Sequence, residues 1–373
     1  MTMVQITKDN AYDAAAPDDF PAMLDPQRYG KRTTAFDKII SATHDHFWDP
    51  LDKKYIDFQQ PFDTTKETIL PANFFPVFHT RIGDKMTAEQ KIKFANESTR
   101  WQLSAILHGE QGALALSASL CHILKDPGAQ EYAANQTREE ARHVTAFAAY
   151  IKERWGTPLP CGATLQTLLT EMVGAPEVYK KIVGMQMLVE GLAMGAFATL
   201  YQNAQDPLLR KLCQLVMTDE AFHHKFGKIW ADRTIPKLST EEQNLVEDWA
   251  AQCFQTLLFN LVNAEQMQVV YDSVGIDWQD ARAAIMEAFT DADRREGMKQ
   301  SANIFRVLIK TLLNAGIITE RTKAFYGMYV DMDELKNEGE RMVGDDIAEE
   351  GIRYLQTINF ADRNKGNTLL AAE

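Results

Sequence analysis

Apolar residues recur at intervals of three and four positions through most of the chain beyond residue 86. This spacing lines them up on one face of a helix, so it predicts amphipathic α-helices. Thr87 followed by Gln90 has the form of a capping box at the start of the first helix. Four long helices are predicted in this part of the chain, at about 86–124, 128–155, 176–204 and 208–235.

Turn signals separate these helices. The Asp-Pro pairs at 126–127 and 206–207 each end one helix and open the next, and Gly156 ends the second. Pro176 is suited to the first position of the third helix. The intervening segment 157–175 shows no clear long helix.

The regions on either side of the four helices differ from them. Seven prolines cut the first eighty or so residues into short pieces, with one helix predicted at about 33–47. After the four helices, Ser239 and Glu242 form another capping box, which opens a helix toward Tyr271. Further helices are predicted at 278–290, 292–314 and 342–357.

Strand signals are nearly absent, so the predicted fold class is all-α. We predict that the chain has three parts. An N-terminal arm (1–85) packs on a four-helix bundle (86–235), and C-terminal helices (236–373) complete the same domain.

The chain repeats a helical hairpin once, at a period of 80 residues. Because only two copies occur, the pattern indicates a duplicated hairpin rather than a solenoid. Three features of the first copy recur in the second. They are Glu110 with Glu190, Asp126-Pro127 with Asp206-Pro207, and Glu140-x-x-His143 with Glu220-x-x-His223.

Within each hairpin the acidic residues fall at one height. Glu110 lies 16 residues before Asp126 and Glu140 lies 14 residues after it, which is roughly 24 and 21 Å along two antiparallel helices. Glu140 and His143 share a helix face because they are three residues apart. The second hairpin has the same offsets, so both hairpins deliver a glutamate and a Glu-His pair to one level.

A segment of about 19 residues joins the two hairpins. Fully extended, such a segment reaches ~60 Å, enough to run along a bundle and bring the third helix in parallel to the second. One long crossover of this kind is a feature of the ferritin-like four-helix bundle.

Four carboxylates and two imidazoles inside one bundle need compensation, because a buried charge must be paired or must coordinate a cation. Carboxylate with imidazole suits iron and manganese, and the lack of thiolate argues against structural zinc. A lone Glu-x-x-His motif would be weak, but Glu110 and Glu190 lie inside apolar helices. We predict two iron ions, with a manganese/iron pair as the alternative. The predicted ligands are Glu110, Glu140, His143, Glu190, Glu220 and His223.

The motifs Glu139-Glu140-Ala141-Arg142-His143 and Asp219-Glu220-Ala221-Phe222-His223 carry a family resemblance. They are similar to the signature of soluble acyl-carrier-protein desaturases and of bacterial multicomponent monooxygenase hydroxylase subunits, in the ferritin-like di-iron carboxylate superfamily. The resemblance covers about residues 88–235. It implies dioxygen activation at a reduced metal pair, with each hairpin holding one metal and two glutamates bridging.

Departures from the known branches leave the subfamily unassigned. Phe222 stands where the second motif usually has Arg. Ala193 and Met194 follow Glu190 where monooxygenases place a threonine nearby. Phe147 stands at the radical tyrosine position of the ribonucleotide reductase small subunit. Val216 stands where the arylamine N-oxygenases add a histidine.

Five further residues have weaker predictions. Glu139 and Asp219 are predicted to hydrogen-bond the ligand imidazoles and so set their tautomers, with ordinary helix-face charges as the alternative. Trp48 is interpreted as buried aromatic packing, with a place in an electron path as the alternative. His108 and His224 point to other helix faces and are not expected to bind metal.

Composition narrows the range of functions. The 373 residues carry a formal net charge of −13, which argues against the clustered Lys and Arg of a nucleic-acid-binding protein. The four cysteines are widely spaced and the N-terminus lacks a signal-peptide pattern, so a cytoplasmic location is expected. No membrane span is expected, because no charge-free apolar run of about 18 residues occurs.

The leading hypothesis is a di-iron oxidoreductase that activates dioxygen to hydroxylate, desaturate or N-oxygenate a small or acyl-type organic substrate. Electrons would come from a reductase or ferredoxin, because no flavin or nicotinamide motif is visible, and a homodimer is expected by resemblance. Two alternatives remain. One is a radical-generating or electron-transfer subunit similar to the ribonucleotide reductase small subunit, and the other is a metal-binding peroxide-scavenging or storage protein.

Overall fold

The protein is built from α-helices joined by turns and short 3-10 segments. The computed structural model describes residues 12–262, 264–290, 304–337 and 344–361, and within them the single β-bridge joins Ala14 and Leu124. The all-α fold class is confirmed. The helices are α1 (Phe20–Met23), α2 (Pro26–Tyr29), α3 (Asp37–Thr43), α4 (Ala88–Ile123), α5 (Pro127–Trp155), α6 (Ala163–Gly174), α7 (Val178–Lys181), α8 (Glu190–Asn203), α9 (Pro207–Thr234), α10 (Thr240–Val262), α11 (Gln268–Ser273), α12 (Trp278–Ala288), α13 (Ile304–Asn314), α14 (Lys323–Tyr326), α15 (Met332–Lys336) and α16 (Asp345–Ala361).

Two helical hairpins form the bundle, α4 with α5 and α8 with α9. An aspartate caps the second helix of each hairpin. Asp126 Oδ1 accepts from the N–H of Gly128, and Asp206 Oδ1 accepts from the N–H of Leu208, both at 2.9 Å. A proline is the next residue in both cases, where its missing N–H has no intrahelical partner to lose. The sequence repeat thus appears as two hairpins with matching turns.

The third bundle helix runs antiparallel to the first, and the backbone of Ile69 in the arm hydrogen-bonds to a residue in or beside each of them. Its N–H donates to Asn96 Oδ1 of α4 at 2.9 Å, and its carbonyl accepts from the N–H of Gln205 at 2.8 Å. Asn96 precedes Glu110, whereas Gln205 follows Glu190, so the start of α4 lies beside the end of α8. Helices α5 and α8 are therefore parallel, as the long crossover predicts.

The crossover itself contains a helix that the sequence pattern missed. The prediction of no clear long helix in 157–175 is wrong, because α6 has 12 residues. This helix packs against α4 and α10, so it covers the bundle instead of passing it as a loop. Its buried side chains have the i, i+3, i+4, i+7 spacing of one helix face. They are Leu165, Leu168, Leu169 and Met172.

The third bundle helix begins later than predicted and is irregular. Pro176 is not its first residue, because α7 begins at Val178. A π-helical segment, Ile182–Val189, follows α7 and leads directly into Glu190 of α8. π-Helical turns bond residue i to i+5 and are frequent at functional sites. The widened turn here lies immediately before a predicted ligand.

The flanking helices differ from their predictions in length. α3 covers only Asp37–Thr43, and it packs on α5 and α9. α10 opens at the predicted capping box, where Ser239 and Glu242 exchange side-chain-to-backbone hydrogen bonds of 2.8 and 3.3 Å. It ends at Val262 instead of reaching Tyr271, and α11 follows as a separate helix.

The C-terminal helices cover the second hairpin. α13 packs on α8, and α16 packs on α9. The predicted helices at 292–314 and 342–357 extend outside the described residues, which contain Ile304–Asn314 and Asp345–Ala361 of them. The division of the chain into three parts stays a prediction.

One helix in the described part of the chain, Val178–Asn203 with its π-helical segment, is long and apolar enough to cross a membrane by composition alone. In the fold, 72% of its most apolar stretch is buried inside the protein. Glu190 lies in the middle of this helix, where its side chain is 2% exposed. These are the features of a central core helix.

Candidate metal centre

The structure brings the six predicted ligands together in the middle of the bundle. Each of the four bundle helices contributes at least one of them, and none of the six residues is more than 5% exposed. Glu110 comes from α4, Glu140 and His143 from α5, Glu190 from α8, and Glu220 and His223 from α9.

Their ligand atoms form two overlapping groups. Within each group these atoms all lie within 4.8 Å of one another. The groups are Glu110, Glu140, His143 and Glu220, and Glu140, Glu190, Glu220 and His223. Because Glu140 and Glu220 belong to both groups, two ions could share them as bridges. Each ion would then also have one imidazole and one unshared carboxylate.

Each imidazole turns its Nδ1 toward the carboxylates. Nδ1 of His143 lies 3.3 Å from both Glu110 and Glu140, and 3.2 Å from Glu220. Nδ1 of His223 lies 3.1 Å from Glu140 and 3.2 Å from Glu220. The Glu-x-x-His spacing causes this convergence, because it stacks both side chains on one face of the helix.

The Nε2 atom of each imidazole faces an acidic residue of the opposite hairpin. His143 Nε2 lies 2.9 Å from Asp219 Oδ2, and His223 Nε2 lies 2.9 Å from Glu139 Oε2. An N–H at Nε2 can donate to these carboxylates and leave Nδ1 with a lone pair for a metal. The sequence predicted such partners, but it did not show that each acid serves the histidine of the other hairpin.

Asp219 has several further donors around it. It accepts from the indole N–H of Trp48 at 2.9 Å and from Nε and Nη2 of Arg142, the former at 3.1 Å. Nε2 of His46 lies 3.4 Å from Oδ1 of Asp219. Trp48 is fully buried and stacks on His143, with ring centroids 6.0 Å apart. Trp48 therefore packs in the core and also supports the acid that holds a predicted ligand.

The two hairpins differ at the residue before the ligand histidine. Phe222 occupies the place that Arg142 has in the first hairpin, and its ring stacks on His46 at 5.1 Å. His46, Glu139 and Asp219 form a third group of potential ligand atoms. Arg142 already places a positive charge beside Asp219. We therefore interpret this group as residues that hold the predicted ligands in place, and not as a third metal site. Sequence reasoning missed His46, since no local motif marks it in the arm.

Gln136 is a second residue at the centre that sequence reasoning missed. Its Nε2 donates to Glu140 Oε1 at 3.0 Å and to Glu190 Oε1 at 3.1 Å, and its side chain is fully buried. Gln136 lies one helical turn before Glu140, and the 80-residue repeat matches it with Val216. A search for polar residues one turn away from each ligand would have found it.

The buried carboxylates differ in their affinity for protons. The pKa of Glu110 is raised to about 8 and that of Glu190 well above its usual value, chiefly because burial removes these groups from water. Burial also opposes ionisation of Glu140 and Glu220, but the nearby imidazoles outweigh it and lower the pKa of each. Burial alone would lower the pKa of both ligand histidines, yet the surrounding carboxylates raise it. The centre therefore binds cations or protons to offset its negative charge.

The donor set fits two divalent metal ions. Oε2 of Glu140 and Oε1 of Glu220 are buried and accept no hydrogen bond, which is an unfavourable state for carboxylate oxygens. Both atoms belong to the residues that the two groups share. Two divalent ions would balance four carboxylates and coordinate these oxygens, and a carboxylate–imidazole set suits iron and manganese.

A cavity of about 320 Å³ reaches the centre between α4 and α8. Glu110 and Glu190, the two carboxylates that the groups do not share, line it, together with apolar residues such as Phe74, Trp101 and Ile106. Its volume is at the low end of the range for small-molecule sites, roughly 300–1,000 Å³. The cavity can therefore admit a small, mostly apolar molecule to one side of the centre.

Other residues singled out from the sequence lie apart from the two ligand groups. His108 Nε2 is 2.9 Å from the carbonyl oxygen of Leu159. Burial lowers the pKa of His224 to about 4. Phe147 is buried and stacks on Phe197, with ring centroids 5.6 Å apart.

The helical bundle, with two overlapping groups of buried glutamates and histidines, defines the class of protein. It is a ferritin-like di-iron oxygenase, an enzyme that uses two iron ions and dioxygen. The family model described as P-aminobenzoate N-oxygenase AurF matches residues 30–312, about three quarters of the chain, and the chain belongs to this family. A search of the curated proteins found no match. The predicted superfamily is confirmed. The family match also identifies the branch of that superfamily, which the sequence motifs left unassigned.

Proposed function

We propose that this protein N-oxygenates a small organic amine, with two iron ions held by the six predicted ligands. The cavity beside Glu110 and Glu190 carries this proposal, because it gives a small molecule access to the unshared side of the centre. Membership of an N-oxygenase family supports nitrogen as the atom attacked. Hydroxylation or desaturation at carbon would use the same centre.

Each ligand has a separate role in this proposal. Glu140 and Glu220, which belong to both ligand groups, would be shared by the two ions, while Glu110 with His143 and Glu190 with His223 would complete the two ligand sets. Asp219 and Glu139 hold the imidazoles in the tautomer that binds metal through Nδ1. The bound ions supply the redox chemistry that activates dioxygen. Burial of all six side chains restricts access of water to the cavity beside Glu110 and Glu190.

The reaction needs a source of electrons. One oxygen atom of dioxygen becomes bonded to the amine nitrogen, and the other leaves as water with two protons and two electrons. We propose that an electron-donor protein, a reductase or ferredoxin, supplies these electrons to a cytoplasmic, dimeric enzyme. The two protons that leave in this water must be delivered by groups at the edge of the centre.

The direct test begins with metal analysis of the purified protein. We expect about two iron ions per chain, and loss of both from Glu140→Ala, since Glu140 belongs to both ligand groups. The matched control is Glu153→Ala, which removes an exposed glutamate from the same helix. Full metal content in Glu140→Ala would contradict the assigned ligands.

The second stage tests the reaction. The iron-loaded protein is reduced, given an arylamine and exposed to ¹⁸O₂. Mass spectrometry of the product should find one labelled oxygen atom on nitrogen. Label on carbon would replace N-oxygenation with hydroxylation. Consumption of dioxygen without any labelled product, across neutral and charged amines, would contradict an oxygenase that acts on amines.

A further inference from the structure

The charged side chains in the described part of the cavity wall are acidic. Among the described residues that line the cavity, Glu110 and Glu190 are the charged ones, and none is Lys, Arg or His. The other side chains of this lining that carry a hydrogen-bonding group are Trp101, Gln102 and Thr199. The Thr199 hydroxyl already donates to the carbonyl of Gly195 at 2.8 Å. Among these described lining residues, an anionic ligand would thus meet two carboxylates and no cationic side chain.

The metal ions do not change this conclusion. Two divalent ions balance four carboxylates, so the loaded centre has no excess positive charge to offer a distant anion. Transfer of an unpaired carboxylate from water into an apolar site is strongly unfavourable. An uncharged group of the same shape avoids most of this penalty. The described wall is therefore better suited to an uncharged group than to an anionic one.

The position of the polar side chains strengthens the argument. Gln102 lies eight residues before Glu110 on α4, and Thr199 lies nine residues after Glu190 on α8, so they are ~12 Å and ~14 Å from the ligands along the helix axes. The antiparallel arrangement puts both at the arm end of the cavity. Between them and the centre the wall consists of apolar and small residues, such as Ala105, Ile106 and Ala196. A substituent on the far side of an aromatic ring would lie in this apolar zone.

We propose that the substrate is an uncharged amine with an apolar body, and that the enzyme rejects amines carrying a carboxylate, p-aminobenzoate included. This proposal rests on the proposed function for the identity of the reacting nitrogen. It departs from p-aminobenzoate, the substrate for which the family is named. The lack of a cationic side chain in the described wall is the feature that sets the preference.

A matched pair of ligands tests the preference without turnover. 4-Aminobenzamide and 4-aminobenzoate have the same ring, amine and nearly the same shape, but the second is anionic at neutral pH. Equilibrium dialysis against the protein loaded with iron(II), without dioxygen, measures the affinity of each. We expect the amide to bind at least about tenfold more tightly, the equivalent of ~1.4 kcal/mol. Equal affinity, tighter binding of the carboxylate, or no measurable binding of the amide would overturn the proposal.

A pair of variants tests the cause. Gln102→Arg brings a cation to the arm end of the cavity, and Gln102→Met is the uncharged control of similar length. Gln102 is only partly buried, so both side chains have room to adapt. We expect Gln102→Arg to reduce the preference for the amide relative to Gln102→Met. The same preference in both variants would overturn the assignment of charge selection to the cavity wall.

Turnover separates this inference from the proposed function. If the amide binds preferentially but reduced enzyme and dioxygen leave its nitrogen unchanged, N-oxygenation fails while the charge preference stands. If both amines are N-oxygenated with equal kcat/KM and bind equally well, the charge preference fails while N-oxygenation stands.

Discussion

Nε2 of Gln136 lies 3.1 Å from Oε1 of Glu190, and the same amide group also donates to Oε1 of Glu140 at 3.0 Å. One neutral donor thus connects an unshared predicted ligand to a shared one. The repeat places Val216 at the equivalent position of the other hairpin, and valine has no polar side-chain atom. The two metal positions are therefore unequal in their surroundings, although their ligand sets match.

This inequality predicts a selective effect of Gln136→Leu. Removal of the amide frees Glu190 to rotate and leaves two carboxylate oxygens without their donor. Loss of an outer hydrogen bond to a metal ligand typically lowers affinity about 10- to 100-fold. We expect iron to be lost first from the position that contains Glu190 and His223. Iron titration followed by Mössbauer spectroscopy, which distinguishes inequivalent irons, measures this.

Val216→Leu is the matched control, because it alters the repeat-equivalent, fully buried position without removing a polar group. We expect it to keep both irons. Equal iron loss in the two variants would mean that packing, and not the amide, is responsible.

The sequence predicted that the six candidate ligands converge, because helical spacing and a fixed repeat determine where those side chains point. It could not predict His46 or Gln136. His46 lies beyond the end of α3 and reaches Asp219 only through the fold of the arm, and Gln136 belongs to no motif. The π-helical segment before Glu190 was also missed, since its residues, Ile182–Val189, apolar except for Gln186, fit a regular helix equally well. Non-local contacts and local changes of helical turn thus account for what was missed at the centre.

Asp219→Asn should destabilise the protein and weaken metal binding at His143. The change removes the negative charge that faces Arg142, which is 8% exposed, and disturbs the hydrogen bond to His143. Removal of one partner of a buried ion pair costs about 3–5 kcal/mol. Urea unfolding of the metal-free protein gives the stability change, and iron analysis gives the loss at the centre.

Glu139→Gln provides the comparison, because Glu139 is the equivalent partner of His223 but lies 3.8 Å from Arg142. We expect a smaller loss of stability than in Asp219→Asn. A larger loss in Glu139→Gln would contradict the central role given to the Arg142–Asp219 pair.

Trp48→Phe separates packing from electron transfer. Phenylalanine retains an aromatic ring beside His143 but cannot donate to Asp219. An acceptor deprived of one hydrogen bond in the interior costs about 1–3 kcal/mol, so we expect a less stable protein with normal iron content. Because packing and the hydrogen bond to Asp219 explain the burial of Trp48, we expect reduction of the iron to proceed at its normal rate. Markedly slower reduction in a stopped-flow experiment would instead assign Trp48 to the electron path.

Gly227 allows α9 to approach the π-helical segment closely. A Cβ at this position would lie 3.0 Å from Cγ of Met187 and 3.3 Å from the carbonyl oxygen of Gln186. Gly227→Ala should therefore push the two elements apart, and overpacking of this kind costs about 1–3 kcal/mol. The same displacement would move Glu190 relative to His223, so we expect a lower iron content as well.

Gly109→Ala is the control for this substitution, because a Cβ at Gly109 has no other atom within 4 Å. Alanine in a helix interior is favoured over glycine by about 1 kcal/mol, so the control should be slightly more stable than the parent. Chemical unfolding of both variants measures the contrast. A stable Gly227→Ala protein with two irons would show that the π-helical segment tolerates a shift at this contact.

Ala196→Leu tests whether the cavity admits the substrate. Ala196 lines the cavity on α8, six residues beyond Glu190, so a larger side chain there occupies space without touching a ligand. A change of this size in a binding pocket is worth about 1–3 kcal/mol, or roughly 10- to 200-fold in kcat/KM. We expect amine oxidation to fall by that factor while iron content is unchanged. Gln202→Leu adds the same side chain at an exposed position of α8 and should leave the rate unaltered. If Ala196→Leu oxidises amines at the parental rate, the substrate reaches the iron by another route, and the charge preference assigned to this wall loses its basis.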